Sequence, residues 1–224
     1  MTEDRPIEFQ RARSAEQRQA RKDAILKAAA GLLTEMPVSD ISLRELSRRV
    51  GLSKTNVVRY FETREAVFFE LLNRTFEQWL EELSGELAAA APASPDAVAD
   101  VLARSLARRP LLCELLSSLG TELERNISAE SARAFKLDHS GLQSRLADLL
   151  RQYASALTEP AARELVSLTI IVAAGLWPFA NPSPQVVEAL EDPRLAHTRV
   201  DFAERLGRAL RVAVTGLLNL DPLP

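Results

Sequence analysis

Apolar residues recur along the chain with a helical period, and no run alternates apolar and polar positions as a half-buried strand would. The pattern predicts an all-α fold of about nine helices. Ser14 with Gln17 reads as a capping box, and the helix behind it places Ala24, Ile25, Ala28, Ala29, Leu32 and Leu33 on one stripe until Pro37 stops it. Ser42 with Glu45 is a second capping box, opening a short helix that ends at Gly51. Ser53 caps a third helix that runs to about Phe61. From Thr63 a long helix carries Val67, Phe68, Leu71, Leu72, Phe76, Trp79, Leu80 and Leu83 at i, i+3, i+4 and i+7 spacing.

Beyond Pro92, Ser94-Pro95 starts a helix reaching Arg109, and Pro110 restarts the chain through Leu123. Ser128 caps a longer helix carrying Phe135, Leu142, Leu146, Leu149 and Leu150, and Thr158 caps an apolar one that runs to about Pro178. Four prolines between Pro178 and Arg199 predict an irregular connection with at most a short helix near Val186 to Leu190. Asp201 with Glu204 caps the last helix. The stretch Leu165 to Ala180 falls short of the ~18 to 20 apolar residues a bilayer requires, so it reads as a buried helix.

The segment Ser42 to Phe61 has its own logic. Counting from Leu43, small Ser47 falls fifth, Gly51 ninth and Val57 fifteenth, with Leu46, Val50, Leu52 and Tyr60 in the other packed places. This is the spacing of a helix-turn-helix: a small side chain where two helices cross, a residue tolerant of positive φ in the turn, and an inward apolar residue on the second helix. With that face buried, Lys54, Thr55, Asn56 and Arg59 are left for the outer side. A plain helical hairpin within a bundle meets the same spacing, so charge has to decide between them.

The whole chain has a net charge of −3, which argues against a protein coated in basic charge. Residues 11–64 nevertheless hold 12 Lys and Arg against 6 Asp and Glu, so this block carries +6 and the remainder −9. A basic block coinciding with the helix-turn-helix spacing favours DNA. One cysteine and two distant histidines exclude a disulfide framework and make a metal centre improbable. Met1 to Arg13 has no apolar core of the kind a secretory signal needs, so a cytoplasmic protein is expected. No Glu-x-x-His pair, Asp-rich motif, Gly-rich phosphate loop or nucleophile with a base supports a helical-bundle enzyme, and no cofactor is expected. An architectural DNA protein without a ligand is the other rival, opposed by an acidic, aromatic-containing body of about 150 residues.

The segment GLSKTNVVRYFETREAVFFEL, Gly51 to Leu71, resembles the signature of TetR-type transcriptional regulators, and the likeness covers residues 18–72. Residues 109–136 also resemble a subset of actinobacterial members. The resemblance implies a homodimer on a two-fold DNA operator, with a flexible arm over 1–14, a DNA-binding head over 15–62 and an effector-binding and dimerisation body over 63–224. It places Lys54, Thr55, Asn56 and Arg59 at the base and phosphate surface, and adds Tyr60, Arg64, Ser42 and Arg44 as phosphate contacts. Val58 departs from the family's usual Tyr, and Glu62 from its frequent Lys or Pro. Arg59 and Asn56 are expected to discriminate bases, by the pairing of Arg with guanine and Asn with adenine.

The resemblance further implies a repressor released by a small-molecule effector in the body that acts through the long fourth helix, and the aromatic richness of the body points to an apolar or aromatic effector. Candidate lining residues are Phe68, Phe69, Phe76, Trp79, Leu112, Cys113, Leu116, Phe135, Leu142 and Trp177, each of which serves equally as plain core. Cys113 is expected to be a buried inert thiol, and His139 and His197 to be surface or capping residues. Two helices with surplus apolar faces predict a four-helix dimer interface through Leu165, Leu168, Val172, Leu176, Phe202, Leu206, Leu210, Ala213 and Leu217.

Overall fold

Side-chain caps set where most of the helices begin. In the computed structural model, which describes residues 5–91, 94–125 and 127–219 with side chains from residue 15 onward, ten α-helices occur and no strand is found among the described residues. Helices α1 (Arg5–Leu33), α2 (Leu43–Val50) and α3 (Lys54–Val58) lead into the long α4 (Arg64–Ala90). There follow α5 (Pro95–Ala107), α6 (Pro110–Ser118), α7 (Ala129–Tyr153), α8 (Glu159–Ala180), α9 (Pro184–Ala189) and α10 (Phe202–Asn219). The side chains of Ser42, Ser53, Thr63, Ser94, Ser128, Thr158 and Asp201 each accept a hydrogen bond from the backbone N–H three residues on, satisfying donors the helix leaves orphaned.

Ser14 is the exception. The backbone is helical from Arg5, so the first helix runs through the proposed capping box. Part of the expected flexible arm, residues 1–4, lies outside the described residues, as do the side chains of Arg5, Arg11 and Arg13. The stripe on α1 is also rotated: Ile25, Leu26, Ala29 and Leu32 are buried while Ala24 is exposed. All eight positions assigned to the inner face of α4 are buried.

The chain divides into two units, Met1–Leu71 and Leu72–Pro224, with the division inside α4. In the first unit α1 packs on α2 and α2 on α3, around Ile25, Leu32, Ile41, Leu46 and Val57. In the second, α8 packs against α6, α7 and α10, and α10 also lies along α5. That last approach is close: a Cβ at Gly207 would sit 3.2 Å from the Asp100 carboxylate and 3.4 Å from Ala103 Cβ. A single π-turn over Leu119–Leu123 extends α6 and buries Leu123.

Pro178 does not end α8, which continues to Ala180. In the last turn the missing proline N–H costs one hydrogen bond, and Asn181 closes the end by donating from its backbone and side-chain nitrogens to the Trp177 carbonyl. At 22 residues α8 is long and apolar enough to cross a membrane, more than the sequence reading allowed, yet Leu165, Val166, Ala173 and Trp177 are buried against neighbouring helices.

Candidate functional site

The turn between α2 and α3 is built by Gly51, whose φ of 67° lies in the left-handed region that side chains resist. Its neighbour Leu52 donates its N–H to the Ser47 carbonyl at 3.0 Å, locking the crossing. Ser47 is 6% exposed and its hydroxyl donates back to the Arg44 carbonyl, so the small residue at the crossing also satisfies its own polar atom. Val57 is fully buried, which turns Lys54, Thr55, Asn56 and Arg59 outward to solvent, with Tyr60 half-buried. This is the placement the spacing predicts.

Charge pairing sorts the arginines of this unit. Arg49 grips Glu35 with a two-pronged bond at 2.9 and 2.6 Å, and Arg48 bonds Glu45 at 2.6 Å. These arginines hold the carboxyls of Glu35 and Glu45 below their ordinary range. Arg44, Lys54 and Arg59 have no ion pair among the described residues. A hollow of about 460 Å³ brings Ser42, Arg44, Lys54 and Arg64 together, with Glu62 and Glu65 on its rim. Arg64 differs from the role the resemblance implies. Its guanidinium points inward, where one terminal nitrogen donates to the carbonyls of Val38, Ser39 and Ile41 at 3.2 to 3.4 Å and Nε bonds Glu65. It clamps the start of α4 to the turn before α2, leaving that nitrogen no donor for phosphate.

In the second unit the effector candidates are buried throughout, from 0% for Leu112 to 9% exposed for Leu142. Phe68 and Phe69 belong to the first unit. Trp177 meets Phe202 edge-on at 5.2 Å and donates to Glu114, whereas Phe76, Trp79 and Phe135 cluster around a residue the sequence reading put on the surface. That residue is His139, only 3% exposed, stacked on Phe135 and bonded through Nδ1 to Asn73 Oδ1 at 2.9 Å. Burial, assisted by Lys136, pushes its pKa down to about 4. Its helix face was the available signal, since His139 falls four residues after Phe135 and three before Leu142. His197 is exposed, as expected. Cys113 is fully buried and burial pushes its thiol up to about 12, the inert state expected of it.

The apolar faces assigned to a dimer need correction. Leu165, Phe202, Leu206 and Leu210 are 0 to 8% exposed, so the chain's own core consumes them. Leu168, Val172, Leu176, Ala213 and Leu217 are half-buried. The large apolar residues most exposed on these two helices are Ile171 at 63% and Phe179 at 70% on α8, and Val212 at 68% on α10. Periodicity could not choose the face of α8 because the helix is apolar nearly all round.

Residues 25–71 match the family model for bacterial regulatory proteins of the tetR family, and residues 73–219 the model for the tetracyclin repressor-like C-terminal domain. The chain belongs to the TetR family. Its head is a DNA-binding helix-turn-helix of transcriptional regulators. The regulator EthR of Mycobacterium tuberculosis is 40% identical over 58 residues, which is 26% of this chain and 27% of EthR. The regulator RutR of Escherichia coli is 33% identical over 64 residues, 29% of this chain and 30% of RutR. The chain thus matches under a third of either relative's length. Among solved structures, a TetR regulator from Rhodococcus shares the fold at TM-score 0.56 and 21% identity, over 90% of this chain and 96% of that one. FadR of Bacillus subtilis, in complex with stearoyl-CoA, aligns at TM-score 0.57 and 15% identity over 86% of this chain and 97% of that one. The Thermus thermophilus repressor FadR, in complex with lauroyl-CoA, does so at 0.56 and 20% over 91% and 98%.

Proposed function

We infer that this TetR-family protein is a cytoplasmic, ligand-responsive repressor that binds a two-fold operator as a homodimer. The observation that carries the DNA-binding surface is the uncovered set of Arg44, Lys54 and Arg59 beside exposed Thr55 and Asn56, while Arg48, Arg49 and Arg64 of the same frame are spent on carboxylates and carbonyls. Arg59 and Asn56 read base edges in the major groove. Lys54, with Tyr60, Ser42 and Arg44, holds register through phosphates and makes affinity depend on salt. Val58, 38% exposed where the family has Tyr, offers a thymine methyl an apolar contact.

The dimer forms through Leu168, Ile171, Val172 and Phe179 of α8 with Val212, Ala213 and Leu217 of α10, because covering this hydrocarbon on two adjoining helices is favourable and a second copy supplies the matching face. Two heads then meet half-sites one helical turn apart, about 34 to 36 Å, or a multiple of it. That two FadR proteins of this fold are in complex with acyl-CoA molecules supports a small-molecule ligand for this chain, and its proposed effect is release of the operator. The continuity of α4 from one unit into the other supports this helix as the moving part. Footprinting on the DNA upstream of the gene, with light scattering of the same sample, tests the reading. A dimer protecting a symmetric sequence is expected, and a monomer or an unsymmetric footprint overturns it.

A further inference from the structure

Three buried side-chain polar atoms among the described residues lack a hydrogen bond: Glu86 Oε2, Glu124 Oε1 and His139 Nε2. The two carboxylate oxygens lie 2.7 Å from Arg108 and 2.5 Å from Lys136, so charge pairing compensates them. Only His139 Nε2 has nothing. A buried polar atom without a partner is costly, and a native interior rarely keeps one without a use for it.

The chemistry of that atom follows from its neighbours. Asn73 Oδ1 only accepts, so the proton of the neutral ring sits on Nδ1 and Nε2 presents a lone pair. Phe135 lies 5.2 Å away in a stack and Phe76 5.2 Å away edge-on, and neither ring has an N–H or O–H to give. Trp79 adjoins Phe76 at 5.1 Å, but its indole N–H is committed to the Ser105 hydroxyl at 3.0 Å. The cluster therefore surrounds one unsatisfied acceptor with aromatic hydrocarbon.

We propose that the ligand of this body has an apolar or aromatic frame and a single hydroxyl or N–H group that donates to His139 Nε2. The proposal rests on the ligand-responsive reading above and narrows it. A thioester or ether oxygen only accepts and leaves the Nε2 lone pair unsatisfied, while a carboxylate is held only if the ring takes up a second proton, which burial of the charged imidazole opposes.

A matched pair of probes tests this on the full chain: para-pentylphenol, its methyl ether, which lacks the donor, and decanoate as the anionic arm. Calorimetry is expected to show the phenol binding about tenfold tighter than the ether, the worth of one hydrogen bond to a buried partner. In His139→Phe the two should bind alike. Should that variant fold poorly, the wild-type chain labelled with nitrogen-15 histidine reads the same contact, its Nε2 resonance moving with the phenol and staying with the ether. Equal binding of phenol and ether, an unmoved Nε2 resonance, or no binding of any probe overturns the proposal. Decanoate binding more tightly than the phenol overturns it and leaves the ligand-responsive reading standing. A phenol that binds through His139 but does not release operator DNA in a gel shift supports the proposal and overturns release.

Discussion

The two units differ in the side chains that their assigned partner surfaces leave uncovered. On the outer face of the helix-turn-helix, Arg44, Lys54 and Arg59 stand without carboxylate partners and Val58 is the one large apolar residue in solvent among the described residues of that unit. In the body, Arg109 joins Glu82 and Glu86, Arg145 joins Glu77, and Arg211 joins Asp100. There the large apolar side chains in solvent gather, with Leu137, Ile171, Phe179 and Val212 each more than half exposed. A surface advertises its partner by what it leaves unsatisfied: free cations call for a polyanion, free hydrocarbon for another protein surface.

The hardest blow to this contrast falls on the body. Ile171→Glu together with Val212→Glu places carboxylates in the proposed interface, and the dimer dissociation constant should rise by about a thousandfold or more. Light scattering reads the monomer and circular dichroism checks that the helices remain. A double variant that stays dimeric breaks the assignment of the hydrocarbon to a second copy.

Next in size is the buried histidine, whose counterpart in the head is an exposed ion pair. His139 titrates near pH 4 in the folded chain against 6.5 when free, so the unfolded state takes up the proton first. Stability present above pH 6.5 is lost as pH falls toward 4, by up to about 3 kcal/mol. Glu35 and Glu45 are held low by Arg49 and Arg48, so their contribution disappears only below about pH 4.5. Urea titrations between pH 7 and 4.5 should show the loss in the wild type and a smaller one in His139→Leu.

Within the head, two cations with similar positions in sequence should separate. Arg64→Ala removes the donor to three carbonyls, lowering stability by about 1 to 2 kcal/mol while leaving the salt dependence of DNA binding unchanged. Lys54→Ala should leave stability alone and reduce the slope of log affinity against log salt by about one. The reverse pattern would return Arg64 to the phosphate surface.

Local rules made the fold readable. Seven caps, the positive φ of Gly51 and the eight buried positions of α4 all follow from residue chemistry within a few positions in sequence. The outward side of α3 was equally legible, because burying Val57 fixes which residues face solvent. Tertiary choices were not. Which side of the all-apolar α8 goes inward depends on α6, α7 and α10, so Leu165 was assigned to the interface and Ile171 was passed over. Arg64 turned inward because carbonyls from a distant turn lie within its reach, and His139 was buried because Asn73, 66 residues earlier, supplies its partner.

Selection of bound duplexes from a random library, run side by side with the wild type, Arg59→Ala and Lys54→Ala, tests most directly the claim that a dimer reads DNA with α3. The wild type should recover a two-fold symmetric site. Arg59→Ala should lose preference at one base pair in each half, about 1 to 3 kcal/mol of discrimination, while Lys54→Ala keeps the same preferences at lower affinity. An unsymmetric site, or preferences that change with Lys54 and not with Arg59, would contradict it.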